Sequence, residues 1–128
     1  MNEIFTAVYM RLSSTLSVDV FDHVPQDYNV FPYVRIDPLT NNNNDTDFET
    51  GFISTVQIIG FSQYKGSQEV ALLNSDIYDA LHRYALPDTL SFGISTIHQT
   101  FSTIALEPDG KTRQSIQRFT IIFEPLPA

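Results

Sequence analysis

The sequence contains no cysteine. Disulfide staples, a thiolate nucleophile and a Cys-ligated zinc site are thereby excluded, a composition that suits a reducing compartment. Basic residues are scarce, with seven Lys and Arg against 15 Asp and Glu and a net charge of −8. Binding to a phosphate backbone depends on clustered Lys and Arg, so this balance argues against a protein that grips nucleic acid. Ordinary solubility is the plainer reading of that charge, and a chain that sits near DNA without adhering to it is compatible with it. No apolar run approaches the length of a membrane span. The opening MNEIFTAVYMRLSS lacks the basic region and unbroken apolar core of a signal peptide. There is no Gly-x-Ser-x-Gly elbow, Walker motif or dinucleotide fingerprint. Ser95 and His98 are two polar residues on a strand, and no carboxylate pair stands out. Neither an enzyme nor a cofactor is expected.

What is present is a core. At 128 residues, with 42% hydrophobic residues, ten Phe and six Tyr, the chain is far too apolar for disorder. It reads as one domain spanning residues 1–128. The stretch Gly51 to Tyr84 organises it: a β-rich run, a short Gly-containing break and an amphipathic helix. A helix with one apolar stripe can bury it on one face of a sheet.

Around that stretch the remaining elements fall into order. Ile4, Phe5, Val8, Tyr9, Leu12 and Leu16 recur at helical spacing over Asn2 to Ser17, with Asn2 as N-cap and Glu3 at the positive end of the dipole. The Ser13-Ser14-Thr15 cluster is a poor helix interior, and fraying is expected there. A short strand is expected around Val20 to Asp22 and another over Phe31 to Leu39, with Tyr33 and Arg35 on one face and Val34 and Ile36 on the other. Thr40 to Thr50, TNNNNDTDFET, reads as a long exposed loop or hairpin tip. Gly51 to Gln63 is the long central strand: Val56 and Ile58 face one side, Ile53, Ile59 and Phe61 the other, and Gly60 marks a bend or bulge. Apolar residues on both faces suit an interior strand, or one whose second face another chain covers. Ser67 is the expected N-cap of a helix running to about Tyr84, with Val70, Leu73, Ile77, Leu81 and Tyr84 as its buried stripe.

Ser91 to Leu106 reads as a strand whose apolar parity switches between Ile94 and the set Ile97, Phe101 and Ala105, which predicts a bulge near Ser95-Thr96. Glu107-Pro108-Asp109-Gly110-Lys111 is a turn signature, and Thr112 to Glu124 returns as the last strand of a long antiparallel hairpin, with Phe119, Ile121 and Phe123 on one face. The expected fold class is α+β: an antiparallel sheet of about four to five strands packed by two helices, in the order α-β-β-β-α-β-β.

Three His are present, His23, His82 and His98, without the i, i+4 spacing of a helical metal site, and they read as surface or packing residues. The alternation Asn43, Asp45, Asp47, Glu49 looks superficially like a calcium loop. Counted from Asn43, however, Phe48 falls at the sixth position and Ser54 at the twelfth, where an EF-hand requires Gly and Glu. A solvated acidic tip is the plain reading. Phe48, stranded among polar residues, is the feature that suggests a partner contact. Lys111 and Arg113 flank the hairpin tip, with Arg118 further along; they serve either edge protection or an interface.

Segments in this order carry a resemblance. The chain resembles the tail-completion, or tail-terminator, proteins of long-tailed bacteriophages and related prophage elements, with the lambda-type terminator fold. An N-terminal helix of the YMRL kind leads to VFDHVPQDYNVFPYVRI (Val20 to Ile36), then an acidic polar loop. TVQIIGFSQYKGSQEVALLNSDIYDALHR (Thr55 to Arg83) follows, and PDGKTRQSIQRFTIIFE (Pro108 to Glu124) closes the chain. No single motif is diagnostic; their order and spacing together carry the likeness over nearly the whole length. The resemblance implies a non-catalytic virion protein of the tail or neck, assembled in the host bacterial cytoplasm. It would form a ring, usually a hexamer, on the head-proximal end of the tail tube, stopping its polymerisation and giving the head connector, or stopper, a docking surface. DNA would pass through without specific binding, and no membrane is involved. Asp45, Asp47, Phe48, Glu49, Ile53, Phe61, Asp109, Lys111 and Arg113 are the candidate partner and ring-interface residues. A head-closure or minor tail connector protein, and a small non-phage adaptor domain using the same sheet, are the alternatives.

Overall fold

The strand Phe52–Ser62 lies at the middle of a five-stranded sheet, and the helix Gln68–Leu81 that follows it folds back across one face. The computed structural model describes residues 2–42, 52–84 and 95–123. In chain order the elements are α1 (Asn2–Thr15), β1 (Asp19–Phe21), β2 (Tyr33–Asn42), β3 (Phe52–Ser62), α2 (Gln68–Leu81), β4 (Ser95–Leu106) and β5 (Arg113–Phe123). The sheet order is β1-β2-β3-β5-β4. This is the expected α+β class and element order, with one difference. β1 runs parallel to β2, so the sheet is mixed rather than purely antiparallel. The chain between them, residues 22–32, is long enough to bring it back to the same end, and a tight hairpin is not.

The register assigns each side chain to a face. Val34, Ile36, Val56, Ile58, Phe119, Ile121 and Ile97 stand on the helix side, and all are buried. They meet Val70, Leu73, Ile77, Ala80 and Leu81 of α2 and Val8 and Leu12 of α1 in one cluster. Each of these side chains larger than Ala80 contributes about 1.5–3 kcal/mol when fully removed from water. The α2 stripe is the one the spacing predicts, with Ala80 added and Tyr84 only partly buried. Asn2 to Ser17 shortens by two residues. Ser14 Oγ and Thr15 Oγ1 both donate to the Arg11 carbonyl, at 3.0 and 2.7 Å, and compete with the helical backbone as such residues do.

Four local expectations are corrected. Gly60 is in regular register with Val34 and Ser115, so it makes no bulge. It is the place where α2 approaches the sheet: a Cβ there would lie 2.5 Å from Leu73 Cδ2 and 3.0 Å from its Cγ. Ser67 precedes α2 but its side chain makes no capping bond. The first turn is tied instead by Ser62 Oγ, which donates to Glu69 Oε1 at 2.7 Å. The bulge in β4 falls between Gln99 and Phe101, not at Ser95-Thr96. Ile97 therefore points to the helices, while Phe101 and Ala105 point away from them. Finally, β2 runs into the Asn-rich stretch, where Asn41 and Asn42 pair with Ser54 and Ile53.

The C-terminal end of α2 is fastened to α1 and to the sheet. Arg11 Nε donates to the Ala80 carbonyl at 2.8 Å, a cation at the negative end of the helix dipole, and its guanidinium lies 4.0 Å from the centre of the Tyr84 ring. His82 is extended and Arg83 takes a left-handed φ of 64°, which ends the helix.

Candidate assembly surfaces

Helices cover one face of the sheet. The other carries no element among the described residues, yet it is not polar. Tyr33 stacks on Phe61 with ring centroids 4.7 Å apart, and Phe21, Tyr28 and Phe31 pack around Tyr33 at 6.0, 5.2 and 5.2 Å. Arg35 lies 5.4 Å over Phe61 and pairs with Asp37 at 3.1 Å. The Asp19 carboxylate accepts the Tyr28 hydroxyl, and this bond is the main reason the phenol is pushed up to about 12. Further along, Arg118 lies 4.9 Å over Phe101 and donates to Gln57 Oε1 at 3.0 Å. Phe101 and Ile122 remain 42% and 40% exposed on this face.

The β4–β5 turn is held by its own side chain. Asp109 Oδ1 accepts the Lys111 and Thr112 backbone N–H groups at 2.9 and 2.8 Å, and Oδ2 accepts the Thr112 hydroxyl at 2.6 Å. The Thr112 bonds, hydroxyl first, lower its carboxyl to about 2. Gly110, at φ 76°, supplies the left-handed residue the turn needs.

The two edges of the sheet are finished differently. β1 covers only Tyr33, Val34 and Arg35 of β2. On the far side, the segment after α2 clips the start of β4: Arg83 N donates to the Ile97 carbonyl at 2.7 Å, and Gln99 N donates to His82 Nδ1 at 3.2 Å. His82 also stacks on Tyr78 and meets His98 edge-on at 5.9 Å. The spacing of the histidines gave no sign of this meeting, because it depends on the left-handed turn at Arg83. From Phe101 to Leu106 every residue is exposed.

The candidate interface residues fall in three places. Phe61 is buried beneath Tyr33 and Arg35. Ile53 sits in β3 opposite Asn42 and Ile122. Asp109 is taken up by the turn, Lys111 is exposed beside it, and Arg113 Nη1 donates to the Tyr64 carbonyl at 3.3 Å. Asp45, Asp47, Phe48 and Glu49, and the part of the expected loop from residue 43 to 50 that carries them, lie outside the described residues. Among the described residues no group of three or more His, Asp or Glu is placed to hold a metal.

A small α+β domain with a helix-free apolar face and an unguarded half-edge has the features of a structural assembly module. The comparisons agree: the model of the family described as tail completion protein gp17 matches residues 6–124. The chain belongs to that family and, with it, to the structural proteins of phage tails. A chain of the virion of a native gene transfer agent particle superposes with a TM-score of 0.77, at 19% identity, over 93% of this chain and 92% of that one. A second solved chain superposes with a TM-score of 0.62 at 12% identity, over 99% of this chain and 97% of its own length. Both share the fold. No curated protein matches the chain.

Proposed function

We propose that the protein forms a ring, hexameric in its simplest form, at the head-proximal end of the phage tail tube. There it ends tube polymerisation and presents the surface to which the head connector docks, and DNA passes through its opening. The observation that carries this reading is a sheet apolar on both faces with helices on only one, in a member of the tail completion family. Ring contacts are heterologous, joining two different surfaces of neighbouring copies. The strand from Ile53 to Phe61, whose sequence is apolar at both parities, supplies part of them. The acidic segment with Asp45, Asp47, Phe48 and Glu49 and the hairpin tip with Asp109, Lys111 and Arg113 meet the tube or the connector. The net charge of −8 keeps the opening from holding DNA; a strongly basic lumen in the assembled ring would remove that part. The protein is a virion component assembled in the host cytoplasm, and its role is mechanical rather than catalytic.

Electron microscopy of a lysate from a phage lacking this gene tests the reading. The expected result is filled heads lying apart from tails, with tubes of abnormal length or ragged ends. Normal-length tails apart from heads would assign a head-closure role instead. Intact infectious particles would overturn assembly altogether and leave the adaptor reading.

A further inference from the structure

Two stretches of strand edge are open among the described residues, at opposite corners of the sheet. On one side β4 is clipped by His82 and Arg83 at Ile97 and Gln99, then runs free from Phe101 to Leu106. On the other, β1 covers β2 only as far as Arg35, and Ile36 to Asn42 has no outer partner among the described residues. The ladders align Phe101–Leu106 with Arg118–Arg113, these with Gln57–Ser62, and Gln57–Phe61 in turn with Asp37–Tyr33, the end that β1 occupies. Each edge is thus covered at one end and open at the other, on the diagonal.

We infer that these two half-edges pair with each other between neighbouring copies: Phe101–Leu106 of one protomer adds antiparallel to Ile36–Asn42 of the next. The inference rests on the ring reading and says which surfaces close it. Strand direction fits. β4, β5, β3 and β2 alternate in sense, so β4 of one copy laid beside β2 of a like-oriented copy is antiparallel. Length fits as well, six residues against seven.

Charge is the third argument. Natural proteins blunt exposed edges with charged residues, prolines or covering segments. β4, STIHQTFSTIAL, has no charged residue and no Pro, and Phe101, Ile104 and Leu106 are 42%, 43% and 54% exposed. In a chain of net charge −8, identical copies repel least where neither carries charge. The other half-edge is less bare: its one charge, Asp37, already pairs with Arg35, while Pro38 withholds one ladder donor beside the register break at Pro38/Thr40. The contact joins two different surfaces and so repeats around a ring, whereas β4 against β4 would close a two-fold dimer. The diagonal placement staggers adjacent sheets, the shear that a closed circle of tilted strands requires.

Because the chain has no cysteine, engineered pairs report this joint without background. One copy carries Asp37→Cys. The other carries Phe101→Cys, Thr103→Cys or Ala105→Cys in turn, so a register shift by two residues is still caught. All four positions face away from the helices. Both copies are produced together during infection by a phage lacking the gene, and purified tails are oxidised with diamide. A disulfide-linked dimer of one D37C and one β4 variant is expected. Absence of that dimer in tails that contain the protein overturns the joint and leaves the ring reading standing. A β4 variant linked to itself overturns it in favour of a two-fold contact; a link to a different tail protein overturns it in favour of strand addition by that protein. Tails of normal length that never contain the protein overturn both. As an independent arm, Thr103→Lys should melt as the parent does yet lower infectious yield more than tenfold; normal yield overturns the joint.

Discussion

The two faces of the sheet are both apolar, but they are built by different rules. On the helix side, Phe119, Ile121, Ile97, Ile58 and Ile36 have no measurable exposure, and the polar residues at the centre are hydrogen-bonded, while Gln99 Nε2 near the β4 bulge is buried without a partner. Gln117 donates to the Asn74 carbonyl at 3.1 Å, and Asn74 donates to Ser115 at 2.8 Å. On the other side, rings lean on one another at the β1 end, Arg35 and Arg118 lie over them, and Phe101 and Ile122 stay half in water. The first face is finished within one chain. The second is ordered but incomplete, which separates residues that hold the fold from residues available to a neighbour.

Substitutions can break or sharpen that contrast. The largest effect is expected from Phe119→Ala, which empties the centre of the helix side and should cost about 4 kcal/mol in urea unfolding. A loss under about 1 kcal/mol would mean that the helix side is not the core. Gly60→Val drives a side chain into Leu73 and should cost about 3 kcal/mol by the same measurement; a neutral result would place α2 further from the sheet. Phe101→Ala, on the face away from the helices, should change stability by about 0.5 kcal/mol or less while lowering the yield of joined particles. If it unfolds the chain instead, the two faces are not different in kind.

The smallest effect concerns the hairpin tip. Asp109 is depressed to about 2 from 3.8, so its folded form is favoured above the unfolded value. Its contribution should be complete above roughly pH 4 and fade as pH falls toward 2. Urea midpoints between pH 5 and 2 should therefore fall more steeply for the parent than for Asp109→Asn, and equal slopes would remove the turn's claim on the carboxylate.

Much of the fold was legible in the sequence. The α2 stripe, the alternation in β2 and β3 and the Pro-Asp-Gly turn each follow from a period or from a turn residue with one backbone solution. What escaped has physical causes. Alternation says which face a side chain takes but not which way the neighbouring strand runs, so the parallel β1 was hidden. Gly60 reads identically as a bulge or as a close approach until the helix is placed over it. The extra residue in β4 is Thr100, flanked by Gln99 and Phe101, where no Gly or Pro marks the break. The candidate site was less legible. The β4 segment looked like any apolar strand, and only its place at the end of the order β1-β2-β3-β5-β4 turns its lack of charge into a feature. The resemblance directed attention to the hairpin tip, where Asp109 proves to be occupied by its own turn.

That strand order also has a consequence in time. β5, Arg113–Phe123, is inserted between β3 and β4, so an interior strand beside the central one is the last element of the order to be synthesised. On the ribosome, β2 and β3 can meet early and α2 can form beside them, but Ile58 and Val56 lack their β5 neighbours, Gln117 and Phe119, until those residues are out. Contacts across such sequence distances form slowly. The β4–β5 turn, closed by Asp109 within a few residues, gives the late strand a local start, so that it arrives as a ready-made hairpin rather than as a single strand. A nascent chain is therefore unable to complete the sheet until synthesis has passed β5.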